Sequence, residues 1–179
     1  IRAIQDLELE VDTPLWHARN YWLFSMWVGG MRFRDVADLR VSNIQGGRLD
    51  YEMSKTKRHK SVDIPLVADF ILRHYVNDMS DVSSRVFPIL AKYNTSTAAQ
   101  FDRAVSSQNA YINKLLKKIA AKAEVYPKLS FHQSRHSFAN LALADGWSVR
   151  KIQAALGHND ISTTERYLGE LDAEFAGNE

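Results

Sequence analysis

Apolar residues recur along most of the chain at the spacing of amphipathic helices, and one stretch between them alternates instead. From Leu15 to Val28 nearly every position is apolar. Thr13 followed by Pro14 is a typical N-cap and first helical residue, so we expect a buried helix there. Gly29 and Gly30 end this helix. Helical spacing also predicts helices over residues 67–77 and 108–123, from residue 132 onward and after residue 148, whereas residues 78–106 give no clear period.

Alternation of apolar and polar residues predicts a small sheet. Between residues 48 and 53 apolar side chains occupy every second position, and the pattern returns over residues 61–64. These two runs are typical of a half-buried antiparallel hairpin. Residues 41–44, before Gly46 and Gly47, are expected to add a third strand. We therefore expect an α+β fold that is mainly helical and carries a three-stranded antiparallel sheet.

Composition limits the class of protein. The chain has 179 residues, of which 45% are hydrophobic, enough for the core of one globular domain. We expect that domain over residues 13–170, a leader or linker over 1–12 and a polar tail over 171–179. The absence of cysteine excludes disulfides and thiolate metal sites. We find neither a signal peptide nor an apolar run of membrane-spanning length, so we expect a cytoplasmic protein without a membrane partner. A first residue Ile1 is typical of an excised fragment.

Basic residues are clustered although the formal net charge is only +2. The turn between the two predicted hairpin strands reads Ser-Lys-Thr-Lys-Arg-His-Lys over residues 54–60. Its like charges repel one another, which favours an anionic partner, although a solvated turn explains the run equally well. The helix predicted over 108–123 has a lysine-rich face, for which simple solvation is the favoured interpretation.

Four side chains near the end of the chain have the chemistry to bind and attack a phosphodiester. His132 and Arg135 are three residues apart and share one face of a helix. His158 and Tyr167 follow at short spacing. Arginine binds phosphate oxygens with paired hydrogen bonds, histidine moves protons near neutral pH, and tyrosine is a nucleophile once deprotonated. Each residue by itself is more often structural, so only the combination favours catalysis.

Five short motifs carry a resemblance to a known family. In chain order they are Gly-Met-Arg ending at Arg32, Ser-Lys-Thr around Lys55, His-Gln-Ser-Arg over 132–135, Leu-Gly-His ending at His158, and Thr-Thr-Glu-Arg-Tyr ending at Tyr167. This set resembles the catalytic domain of the tyrosine recombinases, the phage integrase family. One departure is Ser134, where the family often has leucine, and we interpret it as a tolerated packing change.

The resemblance implies a reaction and a role for each residue of the set. Arg32, Arg135 and His158 would bind the scissile phosphate and stabilise its transition state. Tyr167 would attack the phosphorus with His132 as its base, leaving a 3′-phosphotyrosine intermediate. No metal and no cofactor is implied. The partners implied are double-stranded DNA carrying a recombination site and further protomers in a synaptic tetramer, which places the protein at the nucleoid.

The resemblance also implies supporting roles. Lys55 would protonate the leaving 5′ oxygen, with Lys57 as its rival, and Asp35 would brace the site. Arg34 competes with Arg32 for the first arginine role. Expected contacts to the DNA backbone are Lys57, Arg58, Lys60, Lys114, Lys118 and Arg150. Two other functions fit the same residues: a catalytically silent DNA-binding module, and relaxation of DNA by a type IB topoisomerase. A helical domain without any DNA function fits the basic turn less well.

Overall fold

The computed structural model describes residues 1–76, 81–125 and 129–157. Its helices are α1 Arg2–Gln5, α2 Pro14–Trp27, α3 Phe33–Asp38, α4 Leu66–Tyr75, α5 Ala98–Lys122, α6 Gln133–Ala144 and α7 Val149–Leu156. Its strands are β1 Ile44–Gln45, β2 Arg48–Glu52 and β3 His59–Asp63, and they form one antiparallel sheet in the order β1-β2-β3. The expected class, mainly helical with a three-stranded antiparallel sheet, is confirmed.

Helix α2 is the centre of the domain. The hydroxyl of Thr13 accepts a hydrogen bond from the Trp16 amide at 3.3 Å, and Pro14 fills the first helical position, as expected. The helix packs against α1, α3, α4, α5 and α6, and for this reason its apolar residues continue around most of its circumference. Ile4 of α1 is also buried in this core. A second, smaller core joins α6 to α7.

Helix α5 begins ten residues earlier than the expected start at residue 108. Thr97 and Gln100 form a capping box: the Thr97 hydroxyl accepts from the Gln100 amide at 3.2 Å, and the Gln100 side chain accepts from the Thr97 amide at 3.1 Å. The polar residues around 106–109 hid the period of the helix. The third strand also differs, because residues 41–43 form a 3-10 turn and pairing starts at Ile44.

Among residues 1–76, 81–125 and 129–157, none of the helices combines the length and the apolar character that a bilayer crossing requires.

Candidate active site

The turn over residues 29–32, called the arginine turn below, connects α2 to α3 and ends at Arg32. Gly29 and Gly30 both have left-handed backbone angles, with φ of +81° and +68°. A Cβ atom on Gly30 would lie 3.2 Å from the Cα atom of Arg135, so only glycine fits this approach. The turn therefore brings the backbone before Arg32 against the helix that carries Arg135.

Arg32 and Arg135 meet at the end of α7. Arg135 is buried and donates from one guanidinium nitrogen to the Gly30 carbonyl and from the other to the Leu156 carbonyl at 2.8 Å. A guanidinium nitrogen of Arg32 lies 3.5 Å from the same Leu156 oxygen. In the described part of the chain no carboxylate forms an ion pair with Arg32. Two guanidinium groups side by side favour an anion in front of them.

Arg34, the rival of Arg32, faces elsewhere. It pairs with Asp102 and its guanidinium lies 4.7 Å from the centre of the Phe101 ring. Asp35 is buried and accepts a hydrogen bond from the Ser54 amide at 2.9 Å. This carboxylate therefore holds the base of the hairpin turn that carries Lys55.

Lys55 and Lys57 differ in their surroundings. Both are exposed on the turn between β2 and β3. Lys57 has a left-handed φ of 57° and pairs with Glu52 at 3.3 Å. Lys55 is among the positive charges that lower the pKa of His132, so it lies within electrostatic range of that ring. The role of Lys55 as general acid, with Lys57 as its rival, stays a prediction.

Lys60 does not lie on the exposed turn, in contrast to its expected position. It belongs to β3, opposite Tyr51, and only 9% of its surface is exposed. Its amine donates to the Gly29 carbonyl at 3.0 Å. Burial lowers the pKa of Lys60 to about 7, and repulsion from Arg135 and Arg32 adds to the effect. An amine enclosed in this way is not placed to contact the backbone of a duplex on the surface.

The other expected DNA contacts are on the surface. Arg58 is exposed on the hairpin turn, Lys114 and Lys118 are exposed on α5, and Arg150 is exposed in the first turn of α7. Their roles stay predictions.

His132 precedes α6 beside the two arginines. Partial burial of the ring lowers the pKa of His132 to about 4, with further lowering by the positive charge of His136, Arg135, Arg32 and Lys55. The His136 ring lies edge-on at 5.0 Å. His132 is therefore a neutral imidazole at neutral pH.

Ser134 has a specific role that the sequence did not reveal. It is fully buried, and its single hydroxyl proton is shared between the Phe131 carbonyl and the hydroxyl of Ser25, each 2.7 Å away. The hydroxyl of Ser25 donates to the Met31 carbonyl at 2.6 Å. The two serines tie the residue before Arg32 to the residue before His132. In addition to packing, Ser134 therefore connects elements that are distant in sequence.

A cavity in front of the arginines is lined on one side by α5. Asn109, Asn113 and Lys117, one helical turn apart, line it together with Arg32 and His132. Asn113 also accepts from the Phe131 amide at 2.8 Å, which supports the segment before His132. Asn109 and Asn113 were absent from the expected site, and Lys117 was assigned only to the lysine-rich face of the helix, for which solvation was favoured. Their spacing of four is readable in the sequence.

His158 and Tyr167 lie outside the described residues. The Leu156-Gly157 pair that precedes His158 is described, and it contacts the site. Gly157 ends α7 with a left-handed φ of 65°, and a Cβ atom there would lie 2.5 Å from the Met53 sulfur and 3.8 Å from an Arg32 guanidinium nitrogen. The chain therefore leaves α7 directly beside Arg32.

Comparison with known proteins identifies the family. The model of the phage integrase family matches residues 13–174, and the chain therefore belongs to that family. It is 28% identical over 166 residues to tyrosine recombinase XerD of Oceanobacillus iheyensis, covering 90% of the chain and 53% of the relative. It is 30% identical over 154 residues to tyrosine recombinase XerC of Lactobacillus leichmannii, covering 82% of the chain and 50% of the relative. The chain thus spans about half the length of these relatives.

Solved structures show the same fold. The XerA recombinase superimposes with a TM-score of 0.60 at 20% identity, covering 97% of this chain and 60% of the other. The XerH recombinase in a post-cleavage complex with palindromic difH substrate superimposes with a TM-score of 0.64 at 18% identity, covering 98% of this chain and 49% of the other.

Proposed function

We propose that this chain carries the catalytic domain of a site-specific DNA recombinase that cuts and rejoins DNA through a tyrosine. The observation that carries the proposal is the meeting of Arg32 and Arg135 at the Leu156 carbonyl, with His132 and Lys55 in range, in a member of the phage integrase family. The relatives are tyrosine recombinases, and solved structures of this fold include a recombinase bound to difH substrate and a transposon integrase in complex with DNA.

The first step is binding of a scissile phosphate by the two arginines. A phosphodiester carries one negative charge, and nucleophilic attack places more charge on its nonbridging oxygens. Arg32 and Arg135 stabilise that charge from positions set before the DNA arrives, and His158 contributes a further hydrogen-bond donor. Arg135 has its guanidinium fixed by two carbonyl bonds, which supports a role in stabilisation without rearrangement.

The second step is attack by Tyr167. Its phenol oxygen forms a bond to phosphorus while the bond from phosphorus to the 5′ oxygen breaks. His132, neutral at pH 7, accepts the phenol proton, and Lys55 gives a proton to the leaving 5′ oxygen. The products are a 3′-phosphotyrosine and a 5′ hydroxyl. A 5′ hydroxyl of another strand reverses these steps and joins new partners, without a metal or a cofactor.

The partners follow from this chemistry. The substrate is double-stranded DNA with a recombination site, and strand exchange requires further protomers on the same DNA, which we expect as a tetramer. Exposed Lys57, Arg58, Lys114, Lys118 and Arg150 contact phosphates and set the register of the duplex. The place of action is the cytoplasm, at the nucleoid.

A covalent trapping experiment tests the proposal. The protein at its full natural length is mixed with a pool of fluorescent nicked duplexes with randomised arms, in which a short 5′-hydroxyl fragment escapes after cleavage. We expect a denaturation-resistant protein–DNA adduct that protease removes. Tyr167→Phe should abolish it, while Tyr111→Phe, at an exposed position of α5, should not.

The outcomes separate the alternatives. Transfer of the trapped strand to a second labelled duplex supports recombination. Relaxation of supercoiled plasmid without strand transfer would favour a topoisomerase. Binding of the pool without any adduct would favour a silent DNA-binding module and would overturn the catalytic roles of Tyr167, His132 and Lys55.

A further inference from the structure

Three successive carbonyls of the arginine turn each accept a hydrogen bond from a different element. The Gly29 carbonyl accepts from Lys60 of β3 at 3.0 Å, and the Gly30 carbonyl accepts from Arg135 of α6. The Met31 carbonyl accepts from Ser25 of α2 at 2.6 Å. The turn is thus held by the sheet, by α6 and by α2 immediately before the chain reaches Arg32.

Lys60 makes the link from the sheet, and it does so at an energetic cost. Its side chain is buried where the positive charges of Arg135 and Arg32 repel the amine, and no carboxylate forms an ion pair with it in the described chain. An aliphatic side chain of similar length would avoid the penalty of burying an amine. What only the amine provides is the bond to Gly29. A Cβ atom on Gly29 would lie 2.9 Å from the Lys60 amine, so the fit between them is close.

The hairpin of β2 and β3 carries Lys55 at its turn, and it is fixed to the arginine turn region at two points. Asp35, just after the arginine turn, accepts from the Ser54 amide at the β2 end of the hairpin turn. Lys60, at the β3 end, donates to Gly29. These two hydrogen bonds span the turn that carries Lys55, so they set its position relative to Arg32.

We propose that Lys60 is a positioning residue that fixes the hairpin to the arginine turn, so that Lys55 and Arg32 act on the same phosphate. This inference rests on the proposed function. Lys60 acts through the Gly29 carbonyl and does not touch the DNA. It differs in this respect from Lys57 and Arg58, which are exposed on the same hairpin.

The chain contains no cysteine, which allows an isosteric test. Lys60→Cys introduces the one thiol within these 179 residues, which is alkylated in the unfolded protein before refolding. Any cysteine outside them is replaced by serine in every protein compared. Bromoethylamine restores an amine at the length of lysine, and bromopropane gives a side chain of the same length without charge. Lys60→Met is the direct variant, and Lys92→Met, at an exposed lysine in a loop, is the matched control. All proteins are compared on one nicked duplex recovered from the trapping pool.

Two quantities are measured for each protein: the dissociation constant for the duplex, and the rate constant of adduct formation at saturating duplex. For Lys60→Met and the propyl form we expect a 10- to 100-fold lower rate constant, the order of loss that about 1 Å of misplacement produces. We expect dissociation constants within about threefold of the wild type, because no phosphate contact is lost. The aminoethyl form should recover most of the rate, and Lys92→Met should match the wild type.

The opposite results overturn the proposal. Adduct formation by Lys60→Met at the wild-type rate would show that the bond to Gly29 does not position the site. Weaker binding with an unchanged rate at saturation would make Lys60 a DNA contact. A propyl form as active as the aminoethyl form would show that packing alone matters. Failure of the proposed function is a separate result, because the wild type itself would then form no adduct.

Discussion

The buried amine of Lys60 should give the protein a specific pH dependence of stability. In the unfolded chain a lysine titrates near its ordinary pKa of about 10.5, whereas in the folded protein burial, and repulsion by Arg135 and Arg32, lower the pKa to about 7. Asp35 opposes this shift. Between these two values the unfolded chain binds more protons than the folded protein, so the free energy of unfolding rises with pH.

The magnitude follows from the size of the shift. A difference of one pKa unit corresponds to about 1.4 kcal/mol, so below pH 7 the charged amine destabilises the fold by up to roughly 5 kcal/mol. The contribution of Lys60 to the free energy of unfolding should therefore become more favourable by about 2 kcal/mol between pH 7.5 and 9. Below about pH 6 both states are protonated, and the dependence should vanish.

Urea unfolding of the wild type and Lys60→Met at a series of pH values isolates this effect. The difference between the two free energies of unfolding removes all other titrations common to both proteins. We expect the free energy of unfolding of the wild type to rise steadily relative to that of the variant from pH 7 to 9. At pH 6 we expect the variant to be the more stable protein. A difference that is constant from pH 6 to 9 would refute a lowered lysine pKa and with it the enclosed position of the amine.

Three further predictions concern the site itself. Arg32→Ala should lower the rate constant of adduct formation by about 10²–10³-fold. Arg34→Ala should change this rate constant less than about threefold, because Arg34 pairs with an aspartate away from the site. Equal losses of rate in the two variants would contradict this assignment. The imidazole NMR signal of His132, assigned with His132→Gln, should stay at its neutral position down to about pH 5, since the pKa is lowered; a midpoint near pH 6.5 would contradict it. Gly30→Ala should lower the free energy of unfolding by about 1–3 kcal/mol more than Gly146→Ala does. Both glycines have left-handed backbone angles, but of the two only Gly30 is closely packed. Equal losses of stability in the two variants would show that the packing at Gly30 is not tight.

The sequence was sufficient for the elements whose signals are local. The helix of residues 14–27 follows from its cap and its apolar run, and the hairpin follows from alternation. The pairing of Arg32 with Arg135 was expected only through the family resemblance. The spacing of these two residues along the sequence does not predict their contact, because the contact depends on how α2, α6 and α7 pack.

The sequence did contain a signal for the buried position of Lys60, but the neighbouring basic residues favoured the opposite prediction. The alternation that points Val62 towards the core also points Lys60 inward, two residues earlier on the same face of β3. The run of basic residues on the turn favoured exposure instead. Within a strand, the alternation of inward and outward side chains thus predicts burial better than the charge of the side chain does.

The hydroxyl pair of Ser25 and Ser134 shows the opposite case, in which no local signal exists. Each serine by itself is compatible with an exposed helix position. Their contact forms only when α2 packs against α6, and it then connects both halves of the site through the Met31 and Phe131 carbonyls. Such a contact follows from tertiary packing and not from any period in the sequence.

In the proposed reaction Tyr167 becomes covalently joined to the 3′ end of a cut DNA strand. The direct measurement is mass spectrometry of the trapped adduct after digestion with nuclease and protease. We predict a nucleotide 3′-phosphate attached to the peptide that contains Tyr167, and a free 5′ hydroxyl on the released strand. A nucleotide attached to another residue, or through a 5′ phosphate, would contradict the proposed reaction.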